Sequence, residues 1–150
     1  MDAIQFLKKE HVTAKAAFER VLQASPAKRG DLWEKLSPEL ESHEQMEDAC
    51  LYTPLSRDAT GKDPKLAGWR EKHRAEVEKV KELIEELDDL DPEDEEWLST
   101  VKEIHAGLEA HIQEEEGDIF PRISKVWDAA RLTDAGAKME QTKGKKAAAA

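Results

Sequence analysis

The sequence predicts an all-α protein: an antiparallel, up-down four-helix bundle with a short C-terminal helix and a disordered tail. The chain of 150 residues is rich in alanine, leucine, glutamate and lysine, and it has only 7 glycines, a composition typical of helices. In four long segments, apolar residues recur at alternating steps of three and four, the period of a helix with one buried face. Four such segments joined by short or moderate loops favour a bundle around one core.

The first half of the chain contains two of these segments. We expect the first helix at about residues 2–22, a turn at residues 25–30, and the second helix at about residues 31–51 with Asp31 as its N-cap. Pro38 lies inside the second pattern, so we expect a kink there or a helix that begins with this proline. The buried faces are Ile4, Leu7, His11, Ala14, Phe18 and Val21, then Leu32, Leu36, Leu40, His43, Glu47 and Cys50.

The second half repeats this organisation. Residues 52–66 carry two prolines and a glycine among polar residues and are predicted to form the longest loop. The third helix follows at about residues 65–87, and the Asp-Pro-Glu sequence at residues 91–93 is a start signal for the fourth. The buried faces are Leu66, Arg70, His73, Val77, Val80, Ile84 and Leu87, then Trp97, Val101, Ile104, Leu108, His111 and Glu115.

The fourth helix is predicted to be interrupted or bent near its end, where Gly117 and Pro121 occur. An apolar face then continues through residues 119–127 as a short terminal helix. After it the pattern stops in a segment rich in lysine and alanine, which predicts disorder. We therefore divide the chain into a bundle at residues 1–131 and a disordered tail at residues 132–150.

Composition and charge exclude several classes of protein. The net charge of −11 opposes binding to nucleic acid or to anionic lipid. No apolar run approaches the length of a membrane span, and the N-terminus does not resemble a signal peptide, so we expect a cytoplasmic protein. The single cysteine, Cys50, cannot form an internal disulfide.

Two stretches of the chain resemble each other and carry the chemistry. His43 and Glu47 are four residues apart, as are His111 and Glu115, and each pair is followed by an aliphatic residue, an aromatic residue and a proline. Positions i and i+4 lie on one face of a helix, about one turn apart. Imidazole and carboxylate can therefore converge on one point, as a first-row transition metal requires.

The buried faces of the four helices carry six polar residues that suit a metal site. A lone histidine on such a face is usually a hydrogen-bonded core residue, and a helical scaffold without metal remains the alternative. Burying four imidazoles and two carboxylates without partners would, however, cost several kcal/mol per charge. The first two helices give His11, His43 and Glu47, and the last two give His73, His111 and Glu115. Two equivalent sets suggest two metals bridged by the carboxylates, and the ligands suit iron, with manganese or zinc as alternatives. The six residues are His11, His43, Glu47, His73, His111 and Glu115.

On these residues the chain resembles the hemerythrin family, in its bacterial histidine–histidine–glutamate (HHE) cation-binding branch. The resemblance spans about residues 1–131 and depends on the histidines and glutamates above, together with the Leu-Tyr and Ile-Phe-Pro sequences that follow them. It implies a hemerythrin-like bundle that holds two non-haem iron ions with an oxo or hydroxo bridge. Such a centre reacts with dioxygen or related small molecules.

Two positions depart from the oxygen-carrying members of that family. Those members have a further histidine where this chain has Val77, and an aspartate ligand where it has Glu116. As the carboxylate ligand of this helix we prefer Glu115 to Glu116, because Glu115 matches Glu47 in the repeat. Glu44 resembles an extra glutamate ligand of iron-sensing relatives, and a solvated carboxylate is the open alternative. With Val77 in place of a strong nitrogen donor, we expect the centre to favour turnover of peroxide over reversible oxygen binding.

The remaining polar and aromatic residues are given structural roles. His105 is expected at the surface, and Asp48, Glu114 and Glu116 on solvated helix faces. Phe18 and Val77 are candidates for the wall of a small-ligand pocket. The four tryptophans are expected to cap the core, and no catalytic residue is assigned.

The sequence leaves three functions open. The first is a di-iron protein that binds dioxygen reversibly, the second an enzyme that consumes peroxide or nitric oxide, and the third a sensor whose fold depends on iron and oxygen. Each takes a small diatomic or peroxide ligand and needs a reductant that the sequence does not identify. We expect a monomer or a weak oligomer.

Overall fold

The protein is described by a computed structural model of residues 1–149, with side chains for residues 1–144. Every regular element among these residues is helical, and two of them are single π-helical segments that continue a helix with a wider turn. The elements are α1 (Ala3–Gln23), α2 (Pro26–Glu47), a first π-segment (Asp48–Tyr52), α3 (Thr53–Asp58), α4 (Pro64–Asp88), α5 (Glu95–Glu114), a second π-segment (Glu115–Ile119), α6 (Phe120–Val126) and α7 (Ala129–Ala149).

The four long helices α1, α2, α4 and α5 form the predicted bundle, and the short terminal helix α6 is present as expected. Helix α1 packs against α2 and α5, and α4 packs against α5. Helix α1 begins where the sequence indicates, because Asp2 and Gln5 form a reciprocal capping box. Within residues 1–149, no helix combines the length and the apolar character that crossing a membrane requires.

The start of α2 differs from the prediction. The helix begins at Pro26, so residues 25–30 are not a turn, Asp31 is not the N-cap, and Pro38 lies inside the helix rather than at its first position. The start has a local signal, because Ser25 occupies the N-cap position and Pro26 the first turn. Tertiary packing fits the same start: a Cβ at Gly30 would lie 2.8 Å from Pro92, so only glycine allows this close approach. Arg29 fixes the contact by donating hydrogen bonds to the carbonyls of Pro92 and Asp94.

The prediction of a long loop at residues 52–66 is also wrong for most of that segment. The chain stays helical from α2 through the first π-segment and α3, and a short turn with Gly61 at φ +79° precedes α4. Leu55 and Ala59 are buried in the core, so this segment has an apolar face of its own. Pro54 lies in the first turn of α3, directly after the π-segment, whose wider turn lets a helix continue past a proline.

Helix α5 begins later than its start signal. Asp91 accepts a hydrogen bond from the Glu93 N–H at 2.9 Å within a turn, and the N-cap position belongs to Asp94. The predicted interruption near Gly117 takes the form of the second π-segment, which lets the chain continue into α6 with Pro121 in its first turn.

The disorder expected from residue 132 onward is wrong for the part of the tail that is described. Residues 129–149 form α7, which packs against α1. Leu132, Ala135 and Met139 are buried at this contact, and a Cβ at Gly136 would lie 2.3 Å from the carbonyl oxygen of Met1. The helix therefore adds an apolar stripe to the bundle, and position 150 lies outside the described residues.

Two apolar clusters fill the core, one towards each end of the bundle. The first includes Leu7, Met46, Trp69 and Trp127, and the second includes Phe18, Leu40, Trp33 and Trp97. All four tryptophans are buried. In sequence, a histidine of each of the four bundle helices lies between residues of the two clusters, so these polar residues form one layer between the apolar ends.

Candidate metal centre

Each of the four bundle helices contributes a histidine to this buried layer. His11 comes from α1, His43 from α2, His73 from α4 and His111 from α5. Glu47 and Glu115 stand at the two junctions where an α-helix gives way to a π-segment, and both are fully buried. His11 and His73 are 3% and 1% exposed, so neither is directed to solvent.

The side chains form two groups that share one carboxylate. The first contains His11, His43 and Glu47, and the second contains Glu44, Glu47, His73 and His111, with all ligand atoms of a group within 4.8 Å of one another. Both groups are suited to hold a metal ion. Glu47 belongs to both because its two oxygens face different histidines: Oε2 lies 2.5 Å from His43 Nε2 and Oε1 lies 3.7 Å from His73 Nε2.

Glu115 has a corresponding place between the halves of the bundle. Its Oε1 lies 2.8 Å from His111 Nε2 and 3.5 Å from His11 Nε2. The sequence assigned Glu115 to the set of His73 and His111, whereas the structure places it between His11 and His111. Glu115 is thus close to a histidine of each group.

Glu44 lies inside the centre rather than at its rim. Its Oε2 is 2.8 Å from His73 Nε2, and the side chain is 17% exposed. Its counterpart in the sequence repeat, Ile112, is buried and apolar. The second group therefore has a carboxylate that the first group lacks.

The hydrogen bonding of these atoms tests whether a cation fits. Among the described residues, the buried atoms without a hydrogen-bond partner include both oxygens of Glu47, one of Glu115 and one of Glu44. The Nε2 atoms of His11, His73 and His111 lack partners as well. These atoms are close together but do not point at one another as donor and acceptor do. Because buried polar atoms are nearly always satisfied, a cation bound among them fits the arrangement.

The carboxylates also control the protonation of the imidazoles. Burial alone would lower each histidine pKa, but the negative charge of Glu47 beside the ring raises the pKa of His43 to about 9. Glu115 and Glu76 likewise outweigh burial and raise the pKa of His111 to about 12. Without a metal, both rings are therefore protonated on both nitrogens at neutral pH, and a metal must displace the proton from the nitrogen that it binds.

Three residues around the centre were not assigned to it from the sequence. Glu76 accepts a hydrogen bond from His111 Nδ1 at 3.0 Å, and Glu116, expected on a solvated face, accepts one from His11 Nδ1 at 2.7 Å. The Tyr52 hydroxyl donates to Glu115 Oε2. Glu76 follows His73 by three residues, a spacing that puts both on the same side of α4. No local signal identifies its partner His111 on α5.

Aromatic rings enclose the histidines. Phe120 stacks on His11 at 6.0 Å between centroids, and Trp69 stacks on His111 at 6.1 Å. His105, expected at the surface, is half-buried: its side chain is 20% exposed and packs 5.1 Å from the Phe18 ring. Phe18 is fully buried in the apolar cluster, so it is core rather than an exposed pocket wall.

Two openings reach the centre. A groove of about 950 Å³ between α2, α4 and α5 is lined by Val77 and leads to His73 and His111. A smaller cleft of about 240 Å³ between α1, α2 and α5 leads to His11 and His43. Val77 thus lines an opening to the second group, as expected for a pocket wall.

The family model of the hemerythrin HHE cation-binding domain matches residues 2–123. A crystal structure of a hemerythrin HHE cation binding domain-containing protein from Mycobacterium kansasii, an Rv2633c homolog, superposes with a TM-score of 0.76. That protein is 28% identical, and the match covers 97% of this chain and 89% of that chain. Among the curated proteins, none matches this sequence. The match over residues 2–123 means that the chain belongs to the hemerythrin HHE cation-binding domain family.

Proposed function

We propose that this chain is a non-haem di-iron protein of hemerythrin type that binds or reacts with dioxygen and peroxide. The observation that carries the proposal is the shared position of Glu47. Each of its buried oxygens faces a histidine of a different group, at 2.5 Å and 3.7 Å, and neither oxygen has a hydrogen-bond partner in the described part of the chain. A carboxylate in this position suits a bridge between two cations.

The residues that would hold the metals follow from the two groups. His11 and His43 would serve one position, His73, His111 and Glu44 the other, and Glu47 and Glu115 would lie between them. Nitrogen and carboxylate donors of this kind suit iron, with manganese or zinc as alternatives. Two iron ions held in this way would supply redox chemistry towards dioxygen and peroxide.

The surrounding residues support reaction rather than long-term oxygen storage. Val77 offers no nitrogen donor and lines the groove that leads to His73 and His111, which leaves room for a small molecule beside the second group. The apolar clusters exclude water from the other sides of the layer. We therefore expect the iron-loaded protein to consume peroxide rather than to bind dioxygen reversibly.

Tyr52 would hold a proton at the edge of this layer. Its hydroxyl donates to Glu115 Oε2, and burial raises its pKa well above the ordinary value, with the charges of Glu115 and Glu47 adding to the effect. The hydroxyl therefore stays protonated and keeps Glu115 Oε2 occupied, which leaves Oε1 to face His11 and His111.

Metal analysis of the purified protein, followed by spectroscopy of the iron-loaded form, tests the proposal. We expect two iron equivalents per chain, a change in the visible spectrum on exposure of the reduced protein to air, and oxygen evolution after addition of peroxide. A spectrum that returns fully through cycles of air and argon, without peroxide consumption, would favour a carrier. Fewer than two equivalents at saturating iron would contradict a di-iron centre.

A further inference from the structure

The internal repeat of the chain lets each residue around the centre be compared with a counterpart. The first half, α1 and α2 with the first π-segment, matches the second half, α4 and α5 with the second π-segment. Aligned on the histidines of α1 and α4, Ala14 is the counterpart of Glu76. Aligned on the histidines of α2 and α5, Asp48 is the counterpart of Glu116.

Glu116 contacts the far side of His11. Its Oε2 lies 2.7 Å from Nδ1 of that ring, while Nε2 of the same ring lies 3.5 Å from Glu115 Oε1. A carboxylate only accepts hydrogen bonds, so Nδ1 must carry the hydrogen. The neutral ring then has its lone pair on Nε2, directed into the centre.

Glu76 does the same for His111. Its Oε2 lies 3.0 Å from Nδ1, and Nε2 lies 2.8 Å from Glu115 Oε1. Glu76 comes from α4 and His111 from α5, so this hydrogen bond also fixes the ring across a helix–helix contact.

The counterparts do not make these contacts. Asp48 is held away by Arg74, whose Nε and a terminal nitrogen each donate to one carboxylate oxygen at 2.9 Å. His73 Nδ1 is buried without a hydrogen-bond partner among the described residues. Ala14, the counterpart of Glu76, has no carboxylate to offer His43.

The anchored histidines are distributed evenly over the two groups. His11 belongs to the group with His43, and His111 to the group with His73. Each group therefore has one histidine whose Nδ1 contacts an outer carboxylate, and in the second group the Nδ1 of His73 has no hydrogen-bond partner among the described residues.

We propose that Glu76 and Glu116 are positioning residues, each of which sets the metal affinity of one of the two positions by fixing the tautomer and orientation of one histidine. The inference rests on the proposed function, since it concerns a centre with two metal ions. Carboxylates in this relation to a ligating histidine orient the ring and raise its basicity, and their loss typically weakens metal binding. Glu116 governs the position at His11, and Glu76 governs the position at His111.

Titration of the metal-free full chain with Zn²⁺ against a chelator tests this without any redox activity. Unchanged protein should bind two equivalents. Glu116→Ala and Glu76→Ala should each weaken one equivalent by about 10- to 100-fold and leave the other unchanged, and the double variant should weaken both. The Gln variants should fall between Glu and Ala, because the amide oxygen still accepts the hydrogen bond but carries no charge.

Two carboxylates nearby serve as matched controls. Glu114 pairs with Lys72 at 3.1 Å and Asp48 pairs with Arg74, so Glu114→Gln and Asp48→Asn should bind both equivalents as unchanged protein does. Glu76 and Glu116 are 36% and 34% exposed, so their truncation leaves no cavity in the core. Circular dichroism of each metal-free variant checks that it folds.

A second measurement requires no variant. In the Zn²⁺-loaded protein with ¹⁵N-labelled histidine, His11 and His111 should show Nδ1–H signals that exchange slowly with solvent. The inference would be overturned if the single variants retained both metal affinities, or if the Nδ1–H signals of both rings exchanged fast. The proposed function would still stand in that case, provided that the unchanged protein binds two equivalents. Unchanged protein that binds fewer than two equivalents would overturn both.

Discussion

The two halves of the bundle share a backbone plan and differ in the side chains around the centre. In each half a buried glutamate stands at the junction of a helix and a π-segment, and a proline lies in the first turn of the helix that follows. The first half contributes Glu44 and Tyr52, and at the matching positions the second half has Ile112 and Phe120. The repeat therefore builds two similar metal positions, and a few substitutions make them unequal.

The difference shows where the halves depend on each other. Tyr52 of the first half donates to Glu115 of the second, and Glu116 of the second half holds His11 of the first. Glu47 faces a histidine of each half. Neither half completes its own environment, so the centre joins the two helical hairpins.

Among the changes considered, metal removal should have the largest effect on the stability of the joined hairpins. Without metal, the layer buries several charged groups. With metal bound, the free energy of binding adds to the free energy of folding, by about 4 kcal/mol when the free metal concentration is a thousandfold above the dissociation constant. For a chain of this size we expect the melting temperature to fall by roughly 10 °C. Calorimetry before and after chelation measures it, and identical melting curves would contradict the coupling of metal and fold.

Tyr52→Phe makes the two halves alike at this position and should have the next largest effect. The change removes the donor from Glu115 Oε2 and leaves a fully buried oxygen unpaired, at a cost of about 1–3 kcal/mol. Chemical denaturation of the metal-loaded variant measures the loss. Phe120 has no hydroxyl, so Phe120→Leu is a control that alters packing near His11 without affecting that hydrogen bond.

Val77→His should sharpen the comparison through reactivity. The substitution places a nitrogen donor on α4 one turn after His73, beside the groove that reaches the second group. We expect the air-induced visible spectrum of the reduced protein to persist several-fold longer and peroxide consumption to fall. Val80→His, farther along the same helix, is a control, and equal behaviour of both variants would show that the missing histidine does not control the chemistry.

The smallest expected effect is a dependence on pH that separates the metal-free from the loaded protein. In the metal-free chain the pKa of His43 is raised from 6.5 to about 9, so its contribution to stability is complete below about pH 6.5 and is lost as the pH rises through 9. In the loaded chain protons compete with the metal, so rising pH favours the complex.

The gap between the melting temperatures of the two forms should therefore widen from pH 6.5 to pH 9. Measurements at closely spaced pH values in one buffer series test this. A gap that narrows over that range would contradict the sign of the effect.

The sequence by itself determined the helical class, the four long helices and the residues of the central layer. Each of these depends on local periodicity: His11, His43, His73 and His111 recur with the apolar residues of one helix face, and that spacing directs them inward. The i, i+4 spacing likewise brought Glu47 beside His43 and Glu115 beside His111.

Only the tertiary structure decided the boundaries and the outer partners. Gly30 of α2 packs closely against Pro92 before α5, and α7 is ordered because its apolar stripe is buried on α1. The hydrogen bond between His11 and Glu116 joins residues at opposite ends of the bundle sequence. Such contacts leave no periodic signal, because the residues that make them become neighbours only when the helices pack.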